Sequence, residues 1–176
     1  VDPSAARLEQ LEASYGPEDS ALRFAGTGDI RFGASPLLHA VLSARQLDAD
    51  KFVAKGNSAT EPVRLLPGLR ALMAAIPQAT PIPAQIEFSA EQIMLGGRPL
   101  QNFAADLRTD AKSWTIDRLE FRAPGATRVS LSGSNAQPGR FTGALSVDSS
   151  DPDALVTWLQ RRGEVTYRSQ KPLRLR

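Results

Sequence analysis

From residue 86 to residue 147 the chain is a succession of short stretches that alternate apolar and polar side chains, punctuated by glycine turns. Alternate side chains of a strand point to opposite faces, so this period builds a half-buried sheet. The stretches are 86–89, 92–95, 101–109, 114–116 running into 119–121, 128–133 and 140–147. Gly96-Gly97 and Pro124-Gly125 turn the chain between them. With connections this short, each strand is expected to pair with its sequence neighbours.

The rest of the chain fits around that meander. Residues 4–15 read as a short helix, capped by Ser4, with Leu8 and Leu11 on one face and Gly16-Pro17 at its end. Residues 21–32 read as a hairpin, with Leu22 and Phe24 on one arm, Ile30 and Phe32 on the other, and Gly26-Thr27-Gly28 at the turn. Residues 37–47 form the next strand, and 48–53 a helical turn opened by an aspartate. Residues 62–76 carry Leu65, Leu66, Leu69, Leu72, Met73 and Ile76 at helical spacing, bounded by Pro62 and Pro77. Gly68 inside that run costs about 1 kcal/mol relative to alanine. The prolines of 77–83 make a stiff connector and a candidate boundary. Residues 151–159 close the pattern as a helix with Leu155, Val156 and Leu159 on one side.

The expected fold is therefore α+β and β-dominated. It is an antiparallel meander sheet of repeated strand units, open to a groove-like shape, with short helices packed on it. The expected divisions are 1–20, a helical segment; 21–77, a first β unit with its amphipathic helix; 78–160, a second meander ending in a helix; and 161–176, a basic tail. Residues 21–160 are expected to form one continuous domain.

Two passages repeat at an offset of 103 residues. Leu42, Ser43, Asp48, Asp50 and Val53 find identical partners in Leu145, Ser146, Asp151, Asp153 and Val156, and Phe52 meets Leu155. Each reads as a strand running into a helix, with Asp48, Asp50, Asp151 and Asp153 as structural helix caps, because the first helical N–H groups lack partners. A calcium site is the competing use of four aspartates, but the spacing lacks the glycine and distal glutamate of a calcium loop.

The composition removes several chemistries. The chain has 176 residues, no cysteine and one histidine, so disulfides, thiolate zinc and two-histidine metal sites are excluded. His39 sits among Leu37, Leu38 and Val41, which favours a structural or exposed role over a catalytic base. The glycine pairs lie in hairpin contexts and do not make a phosphate loop. The expectation is a protein that is not an enzyme, with no catalytic residue, no cofactor and no metal. Net charge is +2, but residues 161–176 hold six basic groups against Glu164 alone, leaving 15 basic and 18 acidic groups elsewhere. Such a tail can contact nucleic acid or anionic lipid, or simply be solvated. Tyr167 is its only aromatic side chain, so no nucleic-acid partner is expected.

No apolar run reaches the ~20 residues of a membrane-spanning helix, and no signal peptide is visible. The chain begins Val1-Asp2-Pro3, so a fragment or processed product is expected, with any anchor outside it.

Three passages resemble proteins of the bacterial AsmA family and relatives such as TamB. They are Ser43-Ala44-Arg45-Gln46-Leu47-Asp48-Ala49-Asp50-Lys51-Phe52; residues 82–114 with Gly96-Gly97 and Leu100-Gln101-Asn102-Phe103-Ala104-Ala105-Asp106-Leu107; and residues 119–133, which turn at Pro124-Gly125. The likeness spans roughly residues 22–159. It implies a periplasmic section of an inner-membrane-anchored protein, serving envelope assembly or phospholipid transport, with phospholipid or envelope proteins as partners. On that expectation Phe88, Phe103, Leu107, Phe121, Val129, Leu131, Phe141 and Leu145 form either an apolar groove or an ordinary core face beneath the helix at 62–76. A ligand-free β-scaffold or protein-interaction module is the alternative reading, and a carbohydrate-processing β-domain a third.

Overall fold

The structure, a computed structural model, describes residues 4–15, 21–50, 80–110, 112–137, 140–160 and 173–175. These form one nine-stranded sheet in the order β1-β2-β3-β4-β5-β6-β7-β8-β9. The strands are β1 (Ala5–Tyr15), β2 (Leu22–Arg31), β3 (Leu37–Asp48), β4 (Ala84–Leu95), β5 (Arg98–Thr109), β6 (Trp114–Ala123), β7 (Thr127–Gln137), β8 (Arg140–Ser149) and β9 (Leu173–Leu175). A helix, α1 (Pro152–Gln160), packs on it. The fold is thus β-dominated and a meander. Every neighbouring pair is antiparallel except β3 and β4, which run parallel, Leu42 opposite Phe88. Parallel neighbours need a long crossover, and residues 49–83 join these two. The expected helix at 62–76 and the start of the proline connector lie outside the described residues.

Residues 5–15 are a strand, not the expected helix. Leu8 lies opposite Gly28 and Leu11 opposite Gly26, so β1 holds one extra residue at this point. A bulge of this kind sets two successive residues against one and restores the face afterwards. Glu9 and Gln10 are both exposed. Two leucines three residues apart thus share one face of a bulged strand just as they would share a helix face.

The same apolar–polar–polar–apolar step recurs in Ala44-Arg45-Gln46-Leu47, Ala90-Glu91-Gln92-Ile93 and Leu100-Gln101-Asn102-Phe103. These three lie side by side, Ala44 opposite Ala90, Ala90 opposite Phe103 and Ile93 opposite Leu100. Burial changes phase at the step in all three strands. Asn102, at φ 51°, occupies the left-handed region there, which asparagine tolerates better than most residues. The stretches 86–89 and 92–95 are therefore one strand with a phase change, not two. In β6, Ile116 and Leu119 flank another bulge, where Asp117 and Arg118 both reach solvent. Asp117 pairs with both arms of the Arg108 guanidinium, and Arg118 Nε donates to Asp106 Oδ2 at 2.9 Å.

Gly26-Thr27-Gly28 is not a turn. The chain runs straight through it as β2 and reverses at 32–36. A Cβ on Gly26 would land on the carbonyl oxygen of Val41 in β3, so glycine here permits a close approach of two strands. In the tail, Leu173–Leu175 is not a free segment: it adds a short strand beside β8.

The core sits at the end of the sheet where β3 and β8 finish. Leu155 and Trp158 of α1 cluster with Leu47, Ala49, Ala90, Ile93, Leu95, Leu100 and Ala123. The Trp158 indole donates to the Leu95 carbonyl at 2.9 Å, which satisfies the one polar atom that this burial would strand.

Candidate functional site: the apolar sheet face

Paired residues in adjacent strands share a face, so the register assigns every side chain. One row reads Leu42, Phe88, Ala105, Leu119, Leu131, Leu145 across β3 to β8. A second, nearer α1, holds Ala44, Ala90 and Phe103, then Phe121, Val129 and Val147. A third, further from α1, holds Ile86, Leu107 and Ile116, then Gly133 and Gly143. Phe141 lies on this face beyond Gly143. All eight apolar residues expected to form one face are therefore placed on one face.

That face is partly core and partly open. Phe24, Phe88, Phe103 and Phe121 form an aromatic row with ring centroids 5.4, 5.6 and 6.0 Å apart, in edge-on, tilted and stacked geometries. Aromatic pairs at such separations gain about 0.5–1.5 kcal/mol beyond their buried area. The row packs against the cluster under α1. Phe24 stands outside the expected set, because a hairpin over 21–32 separates it from the meander. At the β8 side the face reaches solvent, with Leu145 52% and Phe141 41% exposed, and at the other edge Leu8 is exposed. Phe141 has a local role as well. Gly133 lies opposite Gly143, and a Cβ on Gly133 would come within 2.7 Å of the Phe141 ring. The ring fills the space that the glycine pair leaves.

The aspartates divide their work. Asp151 Oδ1 accepts from the Ala154 N–H at 3.1 Å, an N-cap bond at the start of α1. Residues 49 and 50 are helical, which sets Asp48 just ahead of a helix start; residues 51–53 lie outside the described residues. Asp50 serves the turn beside it. Its two oxygens accept from the Gly96 and Gly97 N–H groups at 2.6 and 2.7 Å, holding the β4–β5 turn. Asp153 lies in the first turn of α1, where a negative charge suits the helix dipole. The β6–β7 turn is held from the place where β8 runs into α1. Asp151 N–H donates to the Gly125 carbonyl at 3.0 Å, and the fully buried Thr127 and Ser149 hydroxyls lie 2.7 Å apart.

On the opposite, polar face His39 Nδ1 is 3.3 Å from Asp29 Oδ1 and Nε2 is 3.6 Å from Glu87 Oε1. At the β5–β6 turn Asp110 accepts from the Lys112 and Ser113 N–H groups and the Ser113 hydroxyl. These bonds, that from Lys112 foremost, hold its carboxyl below the usual range. Among the described residues no group of three or more acidic or histidine side chains is gathered as metal ligands, and no helix is long and apolar enough to cross a membrane. No protein-family model, no curated protein and no solved structure matches this chain.

Proposed function

We propose that this chain is a non-enzymatic periplasmic module of an AsmA-like, inner-membrane-anchored protein, and that its apolar sheet face contacts phospholipid acyl chains during envelope assembly or lipid transport. The observation that carries the reading is the continuity of that face across β3 to β8, ending in the exposed Leu145 and Phe141. Contiguous apolar surface left in water marks a binding site more often than isolated exposed residues do. The reading also takes the fold as two related units, each with a strand that runs into a helix start. In its support, β3 begins at Leu37 and β8 at Arg140, the same 103-residue offset as the sequence repeat. The test is organic extraction of the purified protein and mass spectrometry, with binding of a labelled phospholipid alongside. Co-purifying phospholipid and saturable binding, both reduced in Leu145→Asp, are expected. Absence of both sinks the proposal.

One observation favours a scaffold reading instead. The 11-residue β1 pairs only with β2, so its outer edge has no strand beside it among the described residues. Such an edge can accept a strand from a partner. Hydrogen exchange separates the readings. Slow outer-edge β1 amides, protected by a bound segment, favour the scaffold; fast exchange of those amides in lipid-loaded protein favours the lipid face alone.

A further inference from the structure

We propose that a cleft on the polar face, lined by Arg98, Arg122 and Arg128, is a binding site for the phosphate group of an organic phosphate. The cleft has a volume of about 620 Å³ and is walled by Pro99, Pro124 and the Gly125-Ala126 turn. Arg122 of β6 lies directly opposite Arg128 of β7. Like charges at directly opposed strand positions repel, so an isolated sheet gains nothing from this pair. Gln101 lies opposite Arg122 on its other side and brings an amide to the same row. Arg98 follows the β4–β5 turn that Asp50 holds and lies opposite Leu95, so it lines the cleft from the turn at the end of the sheet and not from the row of Arg122 and Arg128.

The contrast with the rest of the polar face is informative. Arg108 and Arg118 are each matched to an aspartate on the neighbouring strand. Among the described residues none of Arg98, Arg122 and Arg128 makes an ion pair, and Asp148 is the one acid lining their cleft. Three guanidinium groups against one carboxylate leave an excess of positive charge. Guanidinium forks match phosphate oxygens two at a time. The volume far exceeds that of a bare phosphate ion, leaving room for the organic part of an ester.

The site lies on the face opposite Phe121 and Val129 and does not depend on the lipid reading. A phosphate ester can be free in solution or displayed as a lipid headgroup, and the experiment distinguishes these. Purified full chain is titrated with inorganic phosphate and glycerol 3-phosphate by NMR. It is then sedimented with vesicles of phosphatidylcholine alone or mixed with phosphatidylglycerol. Saturable shifts at Arg122 and Arg128 with glycerol 3-phosphate, about tenfold weaker in the Arg122→Gln/Arg128→Gln variant, are expected. Arg108→Gln/Arg118→Gln removes the same charge from the same face and is expected to bind within about twofold of the parent. Sedimentation with phosphatidylglycerol vesicles, lost in the first variant only, identifies a headgroup; soluble ester binding without it identifies a free metabolite. No saturable shift with any probe overturns the site. So does equal weakening in both double variants, which is the mark of a diffuse field. Arg128 lies opposite Asp148 on β8 as well as opposite Arg122, so the Arg122/Arg128 variant removes one attraction along with one repulsion. Its melting temperature is expected to stay near the parent's, which keeps a binding loss from being a folding loss.

Discussion

The two places where a strand runs into a helix start share a sequence signature and use it differently. At the first, Asp50 sends both carboxylate oxygens across to the Gly96 and Gly97 N–H groups of the β4–β5 turn. At the second, Asp151 caps its own helix with its side chain and holds the β6–β7 turn with its backbone N–H. Each junction pins a hairpin turn at the same end of the sheet. What carries over between them is the task, not the atoms that perform it. An aspartate near unpaired N–H groups will satisfy whichever set the local geometry presents. Trp158 links the two, since α1 leaves the second junction and its indole reaches Leu95, the last residue before the first turn.

That link is the most sensitive point of the comparison. Trp158→Ala opens a cavity under α1 and removes the bond to Leu95, and is expected to cost about 3–5 kcal/mol in urea unfolding. A cost under about 1 kcal/mol would mean that the junctions are energetically separate. Next comes Asp50→Ala, which leaves two turn amides without their charged acceptor. Bonds to charged groups are worth about 1.5–3 kcal/mol each, and solvent can replace part of the loss, so an overall cost of about 2–3 kcal/mol is expected. Hydrogen exchange at Gly96 and Gly97 should speed up as well. Asp151→Ala removes a helix cap while leaving the backbone clamp on Gly125, so its cost is expected near 1 kcal/mol. If the two aspartate variants cost the same, the division of work between the junctions is wrong.

The smallest effect lies at the opposite end of the sheet, where Asp110 closes the β5–β6 turn. Its folded-state carboxyl is held below its ordinary value, so the stability it adds is present above the unfolded value, roughly pH 4, and fades as pH falls through the folded value. The difference in melting temperature between the parent and Asp110→Asn should therefore be largest near neutrality and vanish in acid. A difference that grows in acid would contradict the assignment.

Most strands are legible because their alternation is uninterrupted, as in 103–109 and 140–147. The readings failed where two polar residues came together. Leu8 and Leu11 looked helical, and Glu91-Gln92 looked like a break, because a bulge and a phase change each restore an apolar face after an irregular step. The parallel pairing of β3 and β4 depends on the path between them and left no local trace. The shared apolar face was readable as a set, since each member follows period two within its own strand. The arginine cleft was not, because it exists only once the register of β5, β6 and β7 is fixed.

The most direct test of the lipid-contacting face uses the absence of cysteine from the chain. Leu145→Cys and Ala144→Cys, each labelled with a polarity-sensitive fluorophore, report from adjacent exposed residues on opposite faces of β8. Added phospholipid is expected to shift the emission at position 145 to the blue and to leave position 144 unchanged. Equal responses at the two positions, or none at 145, would contradict the proposal.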